Sequence, residues 1–176
     1  MKKCIPVSVI FILSIVFTST VFAHYEHFKI PTATITIDGS MDDWNNIEPV
    51  YVDDVNDEDP DADYEGTDLY KFYLAKDDTF LYLMMTLHDG APKTDMFTLY
   101  GFHARQKSDY STSIGDYLIF AAFNDGKWTA STDKAISSTG PDYFENITDY
   151  PSKYVGVGSN FIEWKVYLSD FETLRD

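Results

Sequence analysis

The chain has 176 residues and a formal charge of −16, with 29 acidic residues against 13 basic ones. So acidic a surface is unsuited to nucleic acid or anionic lipid, and it favours divalent cations or neutral polymers as partners. Its single cysteine, Cys4, lies at the extreme N-terminus, so no disulfide framework is expected to hold the fold together.

The first 23 residues have the pattern of a signal peptide. Lys2 and Lys3 give a positive start, residues 5–17 (IPVSVIFILSIVF) are apolar, and residues 21–23 end with alanine at the cleavage position. The alternative is an uncleaved membrane anchor, but the polar residues 18–20 stop the apolar run short of the roughly 20 residues that span a bilayer. We therefore predict export to the periplasm or the extracellular space.

Cleavage after Ala23 would leave 153 of the 176 residues, which is enough for one domain. We expect residues 24–32 to form a flexible mature N-terminus and residues 33–176 to form a single domain. The formal charge would then be −18, because 11 basic residues (13 − 2) face the same 29 acidic ones.

Short strands separated by turn residues dominate the first half of the domain. The segment ATITID (33–38) alternates, with Ile35 and Ile37 on one side, and DGSMDDW follows as a turn. The segment IEPVYVD (47–53) predicts a short strand whose proline suits a sheet edge. The segment TDLYKFYLAKDDTFLYLMMTLHD (67–89) predicts two long strands around the turn sequence KDDT.

The second half continues the same pattern. DMFTLYGFHA (95–104) predicts a strand with a bulge at Gly101, and DYLIFAAFNDGKWTAST (116–132) predicts a hairpin closed by a type I′ Asp-Gly turn. Residues 133–160 are looser and predict long surface loops with one short strand near 154–157. FIEWKVYLSDF (161–171) alternates, with one side formed by Ile162, Trp164, Val166 and Leu168 and the other by Glu163, Lys165 and Tyr167.

No helical pattern longer than about two turns separates these strands, so the chain is predicted to be all-β, an antiparallel β-sandwich. The order of the motifs resembles the family 9 carbohydrate-binding modules and related secreted sandwich domains. ITIDGSMDDWNNIEPVYVDD (35–54) is similar to the family's opening strand, Asp-Gly turn, tryptophan and acidic loop, and residues 67–89 and 161–171 are similar to its later strands. The resemblance implies a jelly-roll-type sandwich. Because the family continues into one more strand, we expect either a sandwich that lacks this strand or a fragment of a longer chain.

The sixteen residues 53–68 (DDVNDEDPDADYEGTD) carry nine carboxylates and no basic side chain. Two carboxylates 4 Å apart repel by roughly 1 kcal/mol even in water, so either the segment is splayed into solvent or a cation occupies it. DADYEG matches the first half of a calcium loop, although Phe72 stands where an EF-hand has its bidentate glutamate. The resemblance adds that similar domains often carry structural calcium. We predict Ca²⁺ ligands among Asp57, Asp59, Asp61, Asp63, Glu65 and Asp68, with Asp53 and Asp54 available from the other side.

The resemblance also implies a carbohydrate ligand, held by aromatic rings stacked on sugar rings and by polar groups that bond the hydroxyls. The best-known modules use two facing tryptophans, whereas here Trp44 matches a structural position and Trp164 alternates with core residues. We predict Trp128, beside the hairpin turn, to lie on the open face of its sheet. The candidate stacking residues are Trp128, Tyr110, Tyr143 and Tyr150.

The sequence does not favour an enzyme. Its mature histidines are His24, His27, His88 and His103, and no nucleophile elbow or metal-ligand spacing accompanies them. Any choice of a glycosidase pair from 29 carboxylates would be arbitrary. We therefore predict a non-catalytic module, with two alternatives: an interaction domain without a small ligand, and a haem-binding redox subunit of similar fold. The axial haem candidates would be Met84, Met85, Met96, His88 and His103, and no Cys-x-x-Cys-His motif is present.

Overall fold

A computed structural model describes residues 30–54, 68–88, 90–94, 98–104, 115–137 and 144–171. Over these ranges the fold is all-β, with two antiparallel sheets that form a sandwich. The predicted fold class is confirmed. No helix within the described ranges is both long enough and apolar enough to cross a membrane.

The first sheet has five strands in the order β1-β2-β3-β9-β8. They are β1 (Tyr51–Val52), β2 (Leu69–Lys76), β3 (Phe80–Leu87), β8 (Val155–Val157) and β9 (Phe161–Tyr167). The predicted pair of long strands, the short strand near 154–157 and the late alternating strand are all present. The short β1 lies at the edge of the sheet, as the proline before it indicated.

The second sheet has four strands in the order β4-β5-β6-β7. They are β4 (Thr98–Ala104), β5 (Tyr117–Asn124), β6 (Lys127–Ala135) and β7 (Phe144–Tyr150). Asp125 and Gly126 have φ angles of 51° and 77°, as the predicted type I′ turn requires. The expectation of mainly loops over 133–160 is wrong, because β7 pairs along β6. This edge strand exposes most of its side chains, so it shows no apolar alternation.

The predicted bulge at Gly101 is also wrong. β4 pairs with β5 from Thr98 to Ala104 without a shift of register. The glycine meets a packing requirement instead, because a Cβ there would lie 3.1 Å from the Leu99 side chain and 3.1 Å from Phe120 Cβ.

The main core lies between the two sheets. β9 contributes Ile162, Trp164 and Val166, each 0% exposed, as the alternation predicted. Leu168 is only half-buried, because β9 ends at Tyr167 and a 3₁₀ turn begins.

A second buried cluster covers the outer face of the five-stranded sheet. It lies beneath residues 31–47, which we call the strap. Ile35 and Trp44 of the strap are each 2% exposed, and they pack with sheet residues that include Ala75, Tyr82 and Met84. The strap therefore buries a face of the sheet that would otherwise meet solvent.

The strap keeps the predicted alternation without forming a strand. Ile35 is buried between exposed neighbours, but the backbone meets the sheet only in an isolated bridge between Thr32 and Lys76. There the Lys76 N–H donates to the Pro31 carbonyl and the Ala33 N–H donates to the Lys76 carbonyl, both at 3.0 Å. Positions 31 and 32, at the end of the stretch 24–32 that we expect to be flexible, are thus joined to β2.

Glu163 fastens the strap to the sheet. The alternation of β9 places its side chain away from the main core, but the strap covers that side and Glu163 is 0% exposed. Its Oε1 accepts the backbone N–H groups of Asp38 at 3.0 Å and Gly39 at 2.8 Å, and its Oε2 accepts Trp44 Nε1–H at 2.8 Å. We call Glu163 and these three donors the clasp. Trp44 is structural, as predicted.

The clasp should leave a signature in the pH dependence of stability. Burial raises the pKa of Glu163 above its usual value, although the hydrogen bonds from Trp44, Gly39 and Asp38 act against this. The unfolded chain therefore ionises first, near pH 4.5, and the contribution of Glu163 to stability falls as the pH rises from there through the raised folded pKa. We expect the free energy of unfolding of the wild type, relative to Glu163→Gln, to decrease over this interval. Urea denaturation at a series of pH values measures it, and a pH-independent difference would contradict it.

Candidate functional site

A polar cleft of about 600 Å³ opens where β2 turns into β3. Three segments line it: Thr32 of the strap, Lys76–Thr79 of the turn, and residues 167–169 at the end of β9. Its volume lies within the roughly 300–1,000 Å³ that is usual for small-ligand sites. Tyr167 supplies an aromatic ring to this lining.

Tyr167 is held in place by a cluster of rings. Its ring stacks on Phe80, its partner across the β3–β9 ladder, with centroids 5.1 Å apart and planes 23° from parallel. The hydroxyl groups of Tyr167 and Tyr154 lie 2.9 Å apart, and this hydrogen bond raises the pKa of Tyr167 above its usual value. Lys165 Nζ lies 4.6 Å from the centre of the Phe80 ring. The half-buried Tyr167 ring is therefore neutral and restrained before any ligand arrives.

Tyr150, one of the predicted stacking residues, lies beneath this cluster. It is 2% exposed, and its ring centre is 5.3 Å from Tyr154 and 5.5 Å from Tyr167. Its hydroxyl accepts the backbone N–H of Tyr167 at 2.9 Å and donates to the Asp170 carboxylate. Burial and the bond to Asp170 raise the pKa of Tyr150. Tyr150 supports Tyr167 from below, and this placement does not fit its predicted role as an exposed stacking ring.

The turn between β2 and β3 forms the polar side of the cleft. Asp77 Oδ1 accepts the N–H groups of Thr79 and Phe80, both at 2.7 Å, and Oδ2 accepts the Tyr82 hydroxyl at 2.5 Å. Burial acts to raise the pKa of Asp77, but these hydrogen bonds hold it below its usual value. Asp77 is therefore ionised, and its carboxylate holds the turn in place through these bonds. Asp78 and Thr79 are exposed, and they present a carboxylate and a hydroxyl to a ligand.

Trp128 lies on the side of its sheet that faces the core, so the prediction of an open-face position is wrong. The two-residue turn pairs Trp128 with Phe123 and Ala130 with Ala121, and this register places all four on one face. The ring lies 5.3 Å from Phe123 and 5.8 Å from Tyr100 and is half-buried against the main core.

The acidic segment is described only at its two ends. The predicted ligands Asp57, Asp59, Asp61, Asp63 and Glu65 lie outside the described residues, as do the aromatic candidates Tyr110 and Tyr143 and the haem candidate Met96. Asp68 is 7% exposed and its carbonyl accepts the His88 N–H at 2.8 Å, while His88 Nε2 lies 3.5 Å from the Asp53 carbonyl. The two ends of the segment thus meet beside one residue.

This closure is compatible with carboxylates converging from both ends of the segment on one cation. Within the described residues, no group of three or more His, Cys, Asp or Glu side chains is placed to hold a metal ion. Calcium binding therefore stays a prediction about the segment as a whole.

The four haem candidates that the structure describes each contact other residues of the fold. Met84 is 1% exposed beneath the strap and Met85 is 2% exposed in the main core, on opposite faces of β3. The His88 ring packs 4.2 Å from Tyr70, and His103 Nε2 lies 3.7 Å from the buried Asp116 Oδ2. The two methionines serve packing, as the sequence alone already indicated, whereas the ring nitrogens of the two histidines face the Asp53 carbonyl and the Asp116 carboxylate.

Comparisons of the chain with protein-family models, curated proteins and solved structures give no match. The resemblance to family 9 carbohydrate-binding modules therefore stays a prediction from sequence motifs. Sequence reasoning placed Tyr167 on the outward side of β9 but did not select it for a site. The signal in the sequence that could have selected it was a tyrosine on the outward side at the end of a strand. The sequence did not show that the KDDT turn between β2 and β3 lies beside this tyrosine.

Proposed function

We propose that the chain is an exported, non-catalytic binding module that holds a carbohydrate in the cleft at Tyr167. The observation that carries the proposal is the half-exposed Tyr167 ring, fixed on Phe80 at the wall of a cleft with exposed carboxylate and hydroxyl groups. A sugar offers an apolar C–H face to such a ring and hydroxyl groups to the polar wall. A few placed polar groups beside an apolar surface are the usual composition of a specific small-ligand site.

The rigidity of the ring supports the proposal. Immobilising a free side chain on binding costs about 0.5–1.5 kcal/mol. The Tyr167 side chain is already restrained by the bond to the Tyr154 hydroxyl and by the stack on Phe80, so less of this cost falls on binding. The charge of the wall supports a neutral glycan over a uronic or sulfated one. Asp77 and Asp78 stand against Lys76 in the lining, within a strongly acidic chain.

Titration calorimetry of the mature protein with hexaoses of glucose, xylose, mannose and N-acetylglucosamine tests the proposal. Tyr167→Ala is expected to weaken binding of whichever hexaose binds the wild type by at least tenfold, or about 1.4 kcal/mol. Tyr167→Phe keeps the ring and its stack on Phe80 but loses the bond to the Tyr154 hydroxyl, so it is expected to weaken binding less than Tyr167→Ala does. Tyr70→Ala removes a half-buried tyrosine from the opposite end of β2 and serves as the matched control.

Two results would count against this site. An affinity that survives Tyr167→Ala would move the glycan elsewhere on the protein. No binding by any hexaose, with the fold intact, would favour the interaction-domain alternative.

A further inference from the structure

The strap supplies one residue, Thr32, to the lining of the cleft, and it is fastened to the sheet near the cleft and again further along the strap. At the cleft, Thr32 lines the site and its neighbours exchange hydrogen bonds with Lys76, which also lines it. The second point is the clasp at Glu163, four residues before Tyr167 in β9. At the strand rise of 3.3 Å per residue, the two points are about 13 Å apart.

Between these points the strap backbone makes one weaker contact with the sheet, because the Ile35 N–H lies near enough to the Tyr82 hydroxyl to act against the rise in the pKa of Tyr82. The Thr36 N–H donates to Asp43 within the strap at 2.8 Å, and the N–H groups of Trp44 and Ile47 also bond strap carbonyls. In the described part of the chain, the strap backbone bonds the sheet backbone only around Lys76. Docking of the strap therefore depends on the buried side chains of Ile35 and Trp44 and on the clasp.

The clasp is closely packed, but the burial of a carboxylate within it lowers the free energy needed to open it. Gly39 and Gly156 approach so closely that a Cβ on Gly156 would lie 2.5 Å from Glu163 Oε1 and 2.7 Å from Gly39 N. Glu163 is a buried carboxylate bonded to N–H donors, and no cationic side chain among the described residues forms an ion pair with it. Opening would return this charge to water, which offsets part of the free energy lost from apolar burial.

We propose that the clasp controls the ligand cleft, because a docked strap holds the Thr32 wall in place and an opened clasp releases it. Ligand binding and strap docking then stabilise one another by the same factor, as linkage between two sites requires. The identity of the ligand rests on the function proposed above, whereas the coupling between clasp and cleft wall is a property of the chain itself.

Gly156→Ala tests the coupling without changing any residue that lines the cleft. Its Cβ forces Glu163 and Gly39 apart, and amide hydrogen exchange of the full chain reports the consequence. We expect exchange of the Gly39 amide to rise at least tenfold, and exchange of the Ala33 and Lys76 amides to rise with it. The amides of β5 and β6 are expected to keep their protection. Val157→Ala, at an exposed neighbour in the same strand, is the matched control and should change none of them.

Faster exchange at Gly39 with unchanged exchange at Ala33 and Lys76 would overturn the coupling. Trp44→Phe removes the indole donor and keeps most of the apolar ring, so it gives the same test if Gly156→Ala does not fold. For a hexaose that binds the wild type, Gly156→Ala should weaken binding at least tenfold, and unchanged affinity with an open strap would also overturn the proposal. If no hexaose binds the wild type, the proposed function fails, and the exchange experiment alone decides the coupling.

Discussion

Replacement of Trp44 by alanine is expected to lower the free energy of unfolding by about 3–5 kcal/mol, as truncation of buried aromatic residues does elsewhere. The ring is 2% exposed and meets Tyr73 edge-on with centroids 6.1 Å apart. The substitution also leaves Glu163 Oε2 buried without its donor at 2.8 Å, and loss of a hydrogen bond to a charged group typically costs about 1.5–3 kcal/mol. Urea denaturation followed by circular dichroism measures the change.

Two comparisons separate the effect of removing the Trp44 ring from the effect of losing its hydrogen bond to Glu163. Trp128→Ala removes a half-buried tryptophan from the edge of the core and is expected to cost less than Trp44→Ala. The effects of Trp44→Phe and Glu163→Gln are expected not to add in the double variant, because the two side chains share one hydrogen bond. An unchanged unfolding midpoint for Trp44→Ala would show that the strap does not cover the sheet.

Removal of calcium is expected to lower the melting temperature of the chain without residues 1–23. A cation that binds only the folded state adds about 2.7 kcal/mol when its concentration is a hundred times Kd. The physical reason is the repulsion among the nine carboxylates of residues 53–68, whose two ends are drawn together beside His88. Calorimetric melting in EDTA and in millimolar Ca²⁺ measures the shift.

Screening of charge must be distinguished from binding. Added NaCl at the same ionic strength weakens repulsion without specific ligation, so its effect is subtracted as the control. Asp61→Asn with Asp63→Asn should remove most of the calcium-dependent shift and leave the salt-dependent one. Melting curves that superimpose in EDTA and in calcium would end the calcium prediction.

The elements predicted correctly are those whose signals are local. The Asp125-Gly126 turn follows from the φ angles that only a few residue types adopt, and the two long strands follow from apolar runs on either side of a polar turn. The core positions of β9 follow from the period of two in a strand. Each of these signals lies within a few residues of the element that it specifies.

The misses have a different cause. β7 is an edge strand with mostly exposed side chains, so pairing with β6 defines it and its own pattern does not. Trp128 was placed on the wrong face because alternation gives two sides without saying which one faces the other sheet. Gly101 allows close packing against Phe120 rather than a bulge, a contact that exists only once β4 and β5 pair.

The chain's sequence by itself determined the all-β class and the strongest strands, because turn chemistry and apolar alternation act over short distances. The structural role of Trp44 was expected from the resemblance of its motif to the family 9 modules, and its burial agrees with this. Only the tertiary structure decided that Glu163 is buried, because its cover comes from Trp44 and the Asp38-Gly39 turn, more than a hundred residues earlier. It likewise decided that Tyr167, rather than Tyr150, meets the cleft. Both tyrosines occur in strands, and their exposure depends on which neighbouring strand lies over each ring. The spacing of residues along the sequence does not predict which strand that is.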